Sequence, residues 1–315
     1  MSASAGSALV TDAGRPYDLD VNLKGIFPPI PTPFSSDGNV DHAALAQNID
    51  RWMKTRLAGL VILGSNAEAP LLEDAEADAI IDTARRAIPS SRTMIAGVGR
   101  ESTAATIAAV KRAARAGVDA VLVRTPSYYK NMMTSDAFVR HYTAVADVSP
   151  LPVLLYNVTV YTGVNLLPEA VERLARHANI VGIKESIGDV SQIADLVAKT
   201  PDDFAVLCGS GTTLYAALAA GASGAVLAIA NVLPDMCVDL FELVQKGRHA
   251  EALSLQRRIT PLAKLLGPVH GIAGLKYALD QIGFVGGPAR PPLGAVPAEA
   301  QRKIHEELAG LRELV

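Results

Sequence analysis

The chain has 315 residues, half of them hydrophobic, which is enough for one large domain or two ordinary ones with full cores. Its net charge of −3 offers no basic surface for nucleic acid or for an anionic membrane. No apolar run reaches the roughly 20 residues that a membrane span needs.

Residues 1–20 are small and polar, without the basic start and apolar centre of a signal peptide or the arginines of a transit peptide. They read as a flexible N-terminal arm. The first strand candidate is residues 25–30, interrupted by prolines. Residues 41–55 carry apolar side chains at Leu45, Ile49, Trp52 and Met53, a helical spacing with Asp41 placed to cap it. An uninterrupted apolar strand at 59–63 precedes a helix at 73–87. A third strand at 93–98 precedes an alanine-rich helix at 102–116, closed by Gly117.

The alternation continues: strand 120–123 and helix 135–146, strand 153–156 and helix 168–176, strand 180–184 and helix 190–199. Strand 204–208 and helix 212–220 follow, then strand 224–228 and helix 234–246. The strands are apolar throughout, as expected of strands buried on both faces. Eight such units in succession predict a (β/α)8 TIM barrel of class α/β over residues 21–247. A doubly wound sheet has fewer units and a nucleotide loop after its first strand, and Gly97-x-Gly99 lacks the third glycine of that fingerprint. After Gly247 only helices are expected, at 249–266, 272–282 and 297–311, forming a C-terminal helical region over residues 248–315. Cys208 and Cys237 both lie in apolar runs and read as reduced core residues of a cytoplasmic protein.

In such a barrel the active site lies at the C-terminal ends of the strands. Those ends read Gly64-Ser65-Asn66-Ala67-Glu68, Thr125-Pro126-Ser127-Tyr128-Tyr129, Tyr156-Asn157, Lys184 and Gly209-Ser210. A strand-end lysine ordinarily emerges into solvent. One held in a buried site is disfavoured as a cation, and its free amine can attack a ketone to make a Schiff base. Gly64-Ser65-Asn66 can offer a carboxylate backbone N–H groups, a hydroxyl and an amide, or be an ordinary polar loop. Tyr156 can pass protons or be a core tyrosine, and Tyr128 and Tyr129 can pack on a partner subunit. The six histidines show neither His-x-x-x-His spacing nor a neighbouring cysteine pair, so no metal is expected.

These residues resemble the pyruvate-dependent class I aldolases and lyases, the dihydrodipicolinate synthase and N-acetylneuraminate lyase superfamily. The resemblance runs from Gly25 to about Leu293. It rests on Gly64 to Glu68, Thr125 to Tyr129, Tyr156, Gly182-Ile183-Lys184, and Arg290-Pro291-Pro292-Leu293. Within the superfamily the chain most resembles 4-hydroxy-2-oxoglutarate aldolase, through Gly-Ser-Asn in the first loop, Ser149 to Val153, Lys184-Glu185-Ser186 and Gly286-Gly287-Pro288.

The resemblance implies a lyase needing no cofactor beyond a covalent imine on Lys184. Tyr156 would shuttle protons, and Tyr128 would belong to a tyrosine–hydroxyl relay, in its own or a neighbouring subunit's site. Ser65 and Asn66 would hold the carboxylate of the 2-oxo acid, with Ser186 and Gly209 lining the pocket. It also implies pyruvate as the small-molecule partner and a homotetramer built as a dimer of dimers. The reaction expected is reversible cleavage of 4-hydroxy-2-oxoglutarate, or a related 2-keto-3-deoxy acid, to pyruvate and an aldehyde.

Three departures bear on this. The family's Tyr-Asn-Val-Pro is Tyr156-Asn157-Val158-Thr159 here, and Ala67 replaces a usual glycine, which disfavours positive φ in that loop. Tyr161 stands where the synthases carry an arginine for the carboxylate of aspartate semialdehyde, which argues against the condensation. Dihydrodipicolinate synthase and Schiff-base dehydratase activities remain alternatives. A non-catalytic keto-acid-binding barrel is a third, expected to have lost Lys184 or Tyr156.

Overall fold

The computed structural model describes residues 21–312. The arm expected over residues 1–20 lies outside the described residues, as do residues 313–315. Eight strands form one parallel sheet: β1 (Gly25–Phe27), β2 (Gly59–Ile62), β3 (Thr93–Gly97), β4 (Ala120–Arg124), β5 (Val153–Asn157), β6 (Ile180–Glu185), β7 (Ala205–Cys208) and β8 (Gly224–Val226). Their order, with β8 pairing β1, curls the sheet into a barrel. The β1–β2 seam is joined by Ala58 N–H to Ile26 O, Val61 N–H to Pro28 O and Ile30 N–H to Val61 O. Pro28 and Pro29 have no N–H to give, which is why the first strand ends at Phe27 rather than running to residue 30.

Among the described residues seven helices separate successive strands: α1 (His42–Trp52), α2 (Asp74–Ala87), α3 (Thr103–Arg115), α4 (Ser135–Val148), α6 (Pro168–Leu174), α7 (Val190–Lys199) and α8 (Leu214–Ala219). α9 (Pro234–Gln245) closes the eighth unit, and a four-residue α5 (Thr159–Thr162) lies between β5 and α6. Asp41 caps α1 as its position predicted, and two further helix starts are capped in the structure. Asp41 accepts from Ala44 N–H, Ser102 from Ala105 N–H, and Glu76 reaches back to Glu73 N–H.

The barrel has two apolar layers, which accounts for strands without polar alternation. Phe27, Val61, Ile95, Leu122, Leu154 and Leu207 fill the interior. Intervening residues such as Ile62, Val123, Leu155 and Val206 pack outward against the helices. Cys208 and Cys237 are free and buried. α10 (His249–Lys264), α11 (Gly271–Gln281) and α12 (Ala298–Arg312) follow. α10 packs on α8 and α9, α12 packs on α10 and α11, and a π-helical turn at Leu265–Val269 joins α10 to α11. Among the described residues no helix is long and apolar enough to cross a membrane.

Candidate active site

The register of β5 and β6 sets the site. Val153 pairs with Ile180, but Leu154 pairs with Gly182, so β6 holds one extra residue at Val181. Beyond this irregularity Tyr156 pairs directly with Lys184. Cross-strand partners share a face, and bulges commonly re-aim side chains beside active sites. The lysine is 4% exposed and the tyrosine 5%. Lys184 Nζ lies 4.2 Å from the centroid of the Tyr156 ring. The Tyr156 hydroxyl is 3.2 Å from Ser65 Oγ, and Asn66 Nδ2 donates to Pro29 O at 3.3 Å.

A cavity of about 480 Å³ opens over these groups. Ser65, Asn66, Tyr156, Lys184, Ser186 and Gly209 all line it. Six of the seven residues expected to build the site are therefore brought together. Ser186 Oγ is buried there without a hydrogen-bond partner among the described residues. The outer wall comes from Tyr161 on α5 and from Leu266, Pro268 and Gly271 around the π-helical turn. Lys184 is the only charged side chain among the described residues lining this cavity. A smaller cavity of about 210 Å³ shares Ser65 and Tyr156. Its charges are paired off, Arg100 with Asp74 and Arg124 with Glu101.

Tyr128 is the seventh expected residue, and the cavity does not include it. It is 78% exposed, with its ring edge-on to Tyr129 at 5.1 Å. Its loop is anchored by the Glu101 carboxylate, which accepts N–H bonds from Ser127 and Tyr128 at 2.8 and 2.9 Å. Ala67 stays in a 3-10 turn, and the positive φ values fall instead on Leu63 and Glu68. The loop's left-handed residues therefore flank the turn, and Ala67 itself is not one of them.

Sequence reasoning passed over Glu185, which is fully buried behind the lysine. Its Oε2 accepts from Asn157 Nδ2 and Gln192 Nε2, both at 2.8 Å, and its Oε1 from Ile187 N–H at 2.7 Å. Burial pushes its carboxyl above the usual range, with these three donors opposing. The available signal was a glutamate inside an otherwise apolar strand. Among the described residues no three His, Cys, Asp or Glu side chains gather as a metal-ligand set.

A buried lysine and tyrosine facing each other at the mouth of a β/α barrel define a Schiff-base carbon–carbon lyase of the class I aldolase type. A sequence model of the Dihydrodipicolinate synthetase family matches residues 22–310, and the chain belongs to that family. It is 35% identical over 291 residues to a 4-hydroxy-tetrahydrodipicolinate synthase of Exiguobacterium sp., covering 92% of this chain and 98% of that one. It is 34% identical over 290 residues to the synthase of Archaeoglobus fulgidus, with the same coverage. The crystal structure of a dihydrodipicolinate synthase from Bacillus anthracis superposes with a TM-score of 0.88 at 29% identity, covering 92% of this chain and 98% of that one. The synthase of Methylacidiphilum fumariolicum gives 0.88 at 30% identity, covering 93% and 97%. These relatives carry the synthase name, so the nearer resemblance to 4-hydroxy-2-oxoglutarate aldolase finds no support among them.

Proposed function

We propose that the chain cleaves 4-hydroxy-2-oxoglutarate, or a related 2-keto-3-deoxy acid, to pyruvate and an aldehyde through an imine on Lys184. The observation that carries this is the Lys184–Tyr156–Ser65 line inside a cavity with no second charged side chain among the described residues. The Lys184 amine adds to the C2 carbonyl and water leaves, giving a protonated imine. A base removes the proton of the C4 hydroxyl, the C3–C4 bond breaks, and its electron pair moves into the imine to give an enamine. Protonation at C3 and addition of water release pyruvate and restore the lysine. The imine is the electron sink, the function a metal ion serves in other aldolases.

Tyr156 carries the protons, with Ser65 as the next hydroxyl in the relay, a reading supported by the 3.2 Å between their oxygens. Ser65 and Asn66 hold the substrate carboxylate, and Ser186 and Gly209 border the remainder. Tyr161 lines the cavity where an arginine would be needed to pair with the carboxylate of aspartate semialdehyde. A missing charge-assisted pair is worth about 1.5–3 kcal/mol, which shifts selectivity by roughly 10- to 150-fold.

The chain works as a cytoplasmic homotetramer, a dimer of dimers. Tyr128, Tyr129 and Met132 are exposed together on one loop, as a contact with another copy would require. Condensation of pyruvate with aspartate semialdehyde is the second reading, favoured by the names of the relatives. The test is kcat/KM for cleavage and for condensation on one preparation. Cleavage in excess supports the proposal, and condensation tenfold more efficient than cleavage overturns it.

A further inference from the structure

Two motifs far apart in the sequence meet beneath the site. Glu68, the last residue of the Gly64 loop, accepts the backbone N–H of Arg290 on Oε2 at 2.7 Å, across 222 residues. Its Oε1 pairs with Lys276 Nζ of α11 at 2.6 Å. Glu68 and Lys276 are each 1% exposed. Lys276 also donates to Pro288 O at 2.7 Å. Its ammonium and the Arg290 guanidinium each lie 4.3 Å from the centre of the Phe34 ring. The guanidinium is held in turn by both oxygens of Glu76.

The turn bearing Ser65 and Asn66 runs between two non-glycine residues with left-handed backbone, Leu63 at φ 53° and Glu68 at φ 59°. Side chains disfavour that region, and it persists only where the surroundings over-determine it. At Glu68 the surroundings are a buried ion pair and a hydrogen bond, both supplied from beyond the barrel. A buried ion pair is an inefficient way to gain stability alone, since desolvation consumes much of the attraction. Fixing one geometry is the better-supported use.

We propose that Glu68, clamped by Lys276 and the Arg290 backbone, is a positioning residue that holds the Ser65–Asn66 turn in the shape that receives the substrate carboxylate. This rests on the assignment of Ser65 and Asn66 made under the proposed function. The C-terminal helical region thereby sets affinity for the 2-oxo acid without touching it.

The test uses full-length wild type, Glu68→Gly, and the double variant Glu68→Gln with Lys276→Met. Glycine suits the left-handed backbone but removes the carboxylate, and the double variant removes both charges at similar volume. Borohydride trapping of pyruvate on Lys184 is followed by mass spectrometry against pyruvate concentration, on protein shown folded by circular dichroism. The extent at saturation should approach wild type, while the half-saturating concentration rises about tenfold in both variants, the loss of one charge-assisted contact. A purely structural role lowers the melting temperature and leaves half-saturation unchanged. A rise below about threefold in the folded variants overturns the proposal. Wild type that is never trapped at Lys184 overturns the imine of the proposed function and this proposal with it, so the wild-type arm tells the two failures apart.

Discussion

The hydroxyl of Ser186 occupies the space where a side chain at position 209 would begin: a β-carbon on Gly209 would lie 1.9 Å from Ser186 Oγ. The two residues belong to the loops after neighbouring strands, and Gly209 N–H donates to Glu185 O at 2.6 Å. Glycine at 209 is therefore what leaves room for an unpartnered hydroxyl in the cavity wall.

Gly209→Ala should displace Ser186 and raise KM for the 2-oxo acid about tenfold, from about 1–3 kcal/mol of overpacking at the substrate's wall. Gly209→Ala combined with Ser186→Gly should recover part of that loss, because the contacts with the Ser186 side chain are gone and only the Glu185 carbonyl oxygen, 2.9 Å from the new β-carbon, still crowds it. Equal KM values for the single variant and wild type would show that the Ser186 hydroxyl does not meet the substrate.

Tyr156→Phe keeps the ring against Lys184 and deletes the hydroxyl bonded to Ser65. We expect kcat to fall by about 10²–10⁴, the usual worth of a positioned proton carrier. The adduct with pyruvate should still form on longer incubation. Ser65→Ala should cost less, since Tyr156 remains. Steady-state kinetics check both, and a kcat for Tyr156→Phe within a factor of a few of wild type would remove the tyrosine from the proton path.

Much of the architecture was legible in the sequence because the strands are short apolar runs between marked helix caps. α7 begins at Val190 and ends at Lys199, as its spacing predicted. The misjudged bounds fell where backbone chemistry outweighed hydrophobicity, as where Pro28 and Pro29 stop β1. The site residues on strand ends were legible because the fold dictates which end is functional. Tyr128 was less so: a loop aromatic carries no sign of whether it faces its own cavity or another chain. The Glu68–Lys276 pair was invisible, because α11 shows a lysine in an ordinary amphipathic pattern and only folding brings its partner near.

His141 makes acid stability depend on pH. It is buried in α4, with Nδ1 2.9 Å from Thr103 Oγ1 and Nε2 without a partner among the described residues. Burial lowers its pKa from 6.5 to about 4, opposed by Glu101. The unfolded chain therefore takes up this proton first as the pH falls. The contribution is intact above pH 6.5 and is lost progressively down to about 4, ~3 kcal/mol in all. His141→Gln should flatten the melting temperature across that window relative to wild type. Parallel profiles would assign the acid sensitivity to other groups.

Tyr161→Arg tests the selectivity argument by adding a cation to the cavity wall. Condensation with aspartate semialdehyde should gain about tenfold in kcat/KM, the worth of one charge-assisted pair. Unchanged condensation would show that position 161 does not face the second substrate.

Sodium borohydride reduction in the presence of pyruvate, followed by peptide mapping, tests the central claim most directly. The account predicts one reduced pyruvate adduct, on Lys184, and none in a folded Lys184→Ala variant. An adduct on another lysine, or trapping that persists in Lys184→Ala, would contradict it.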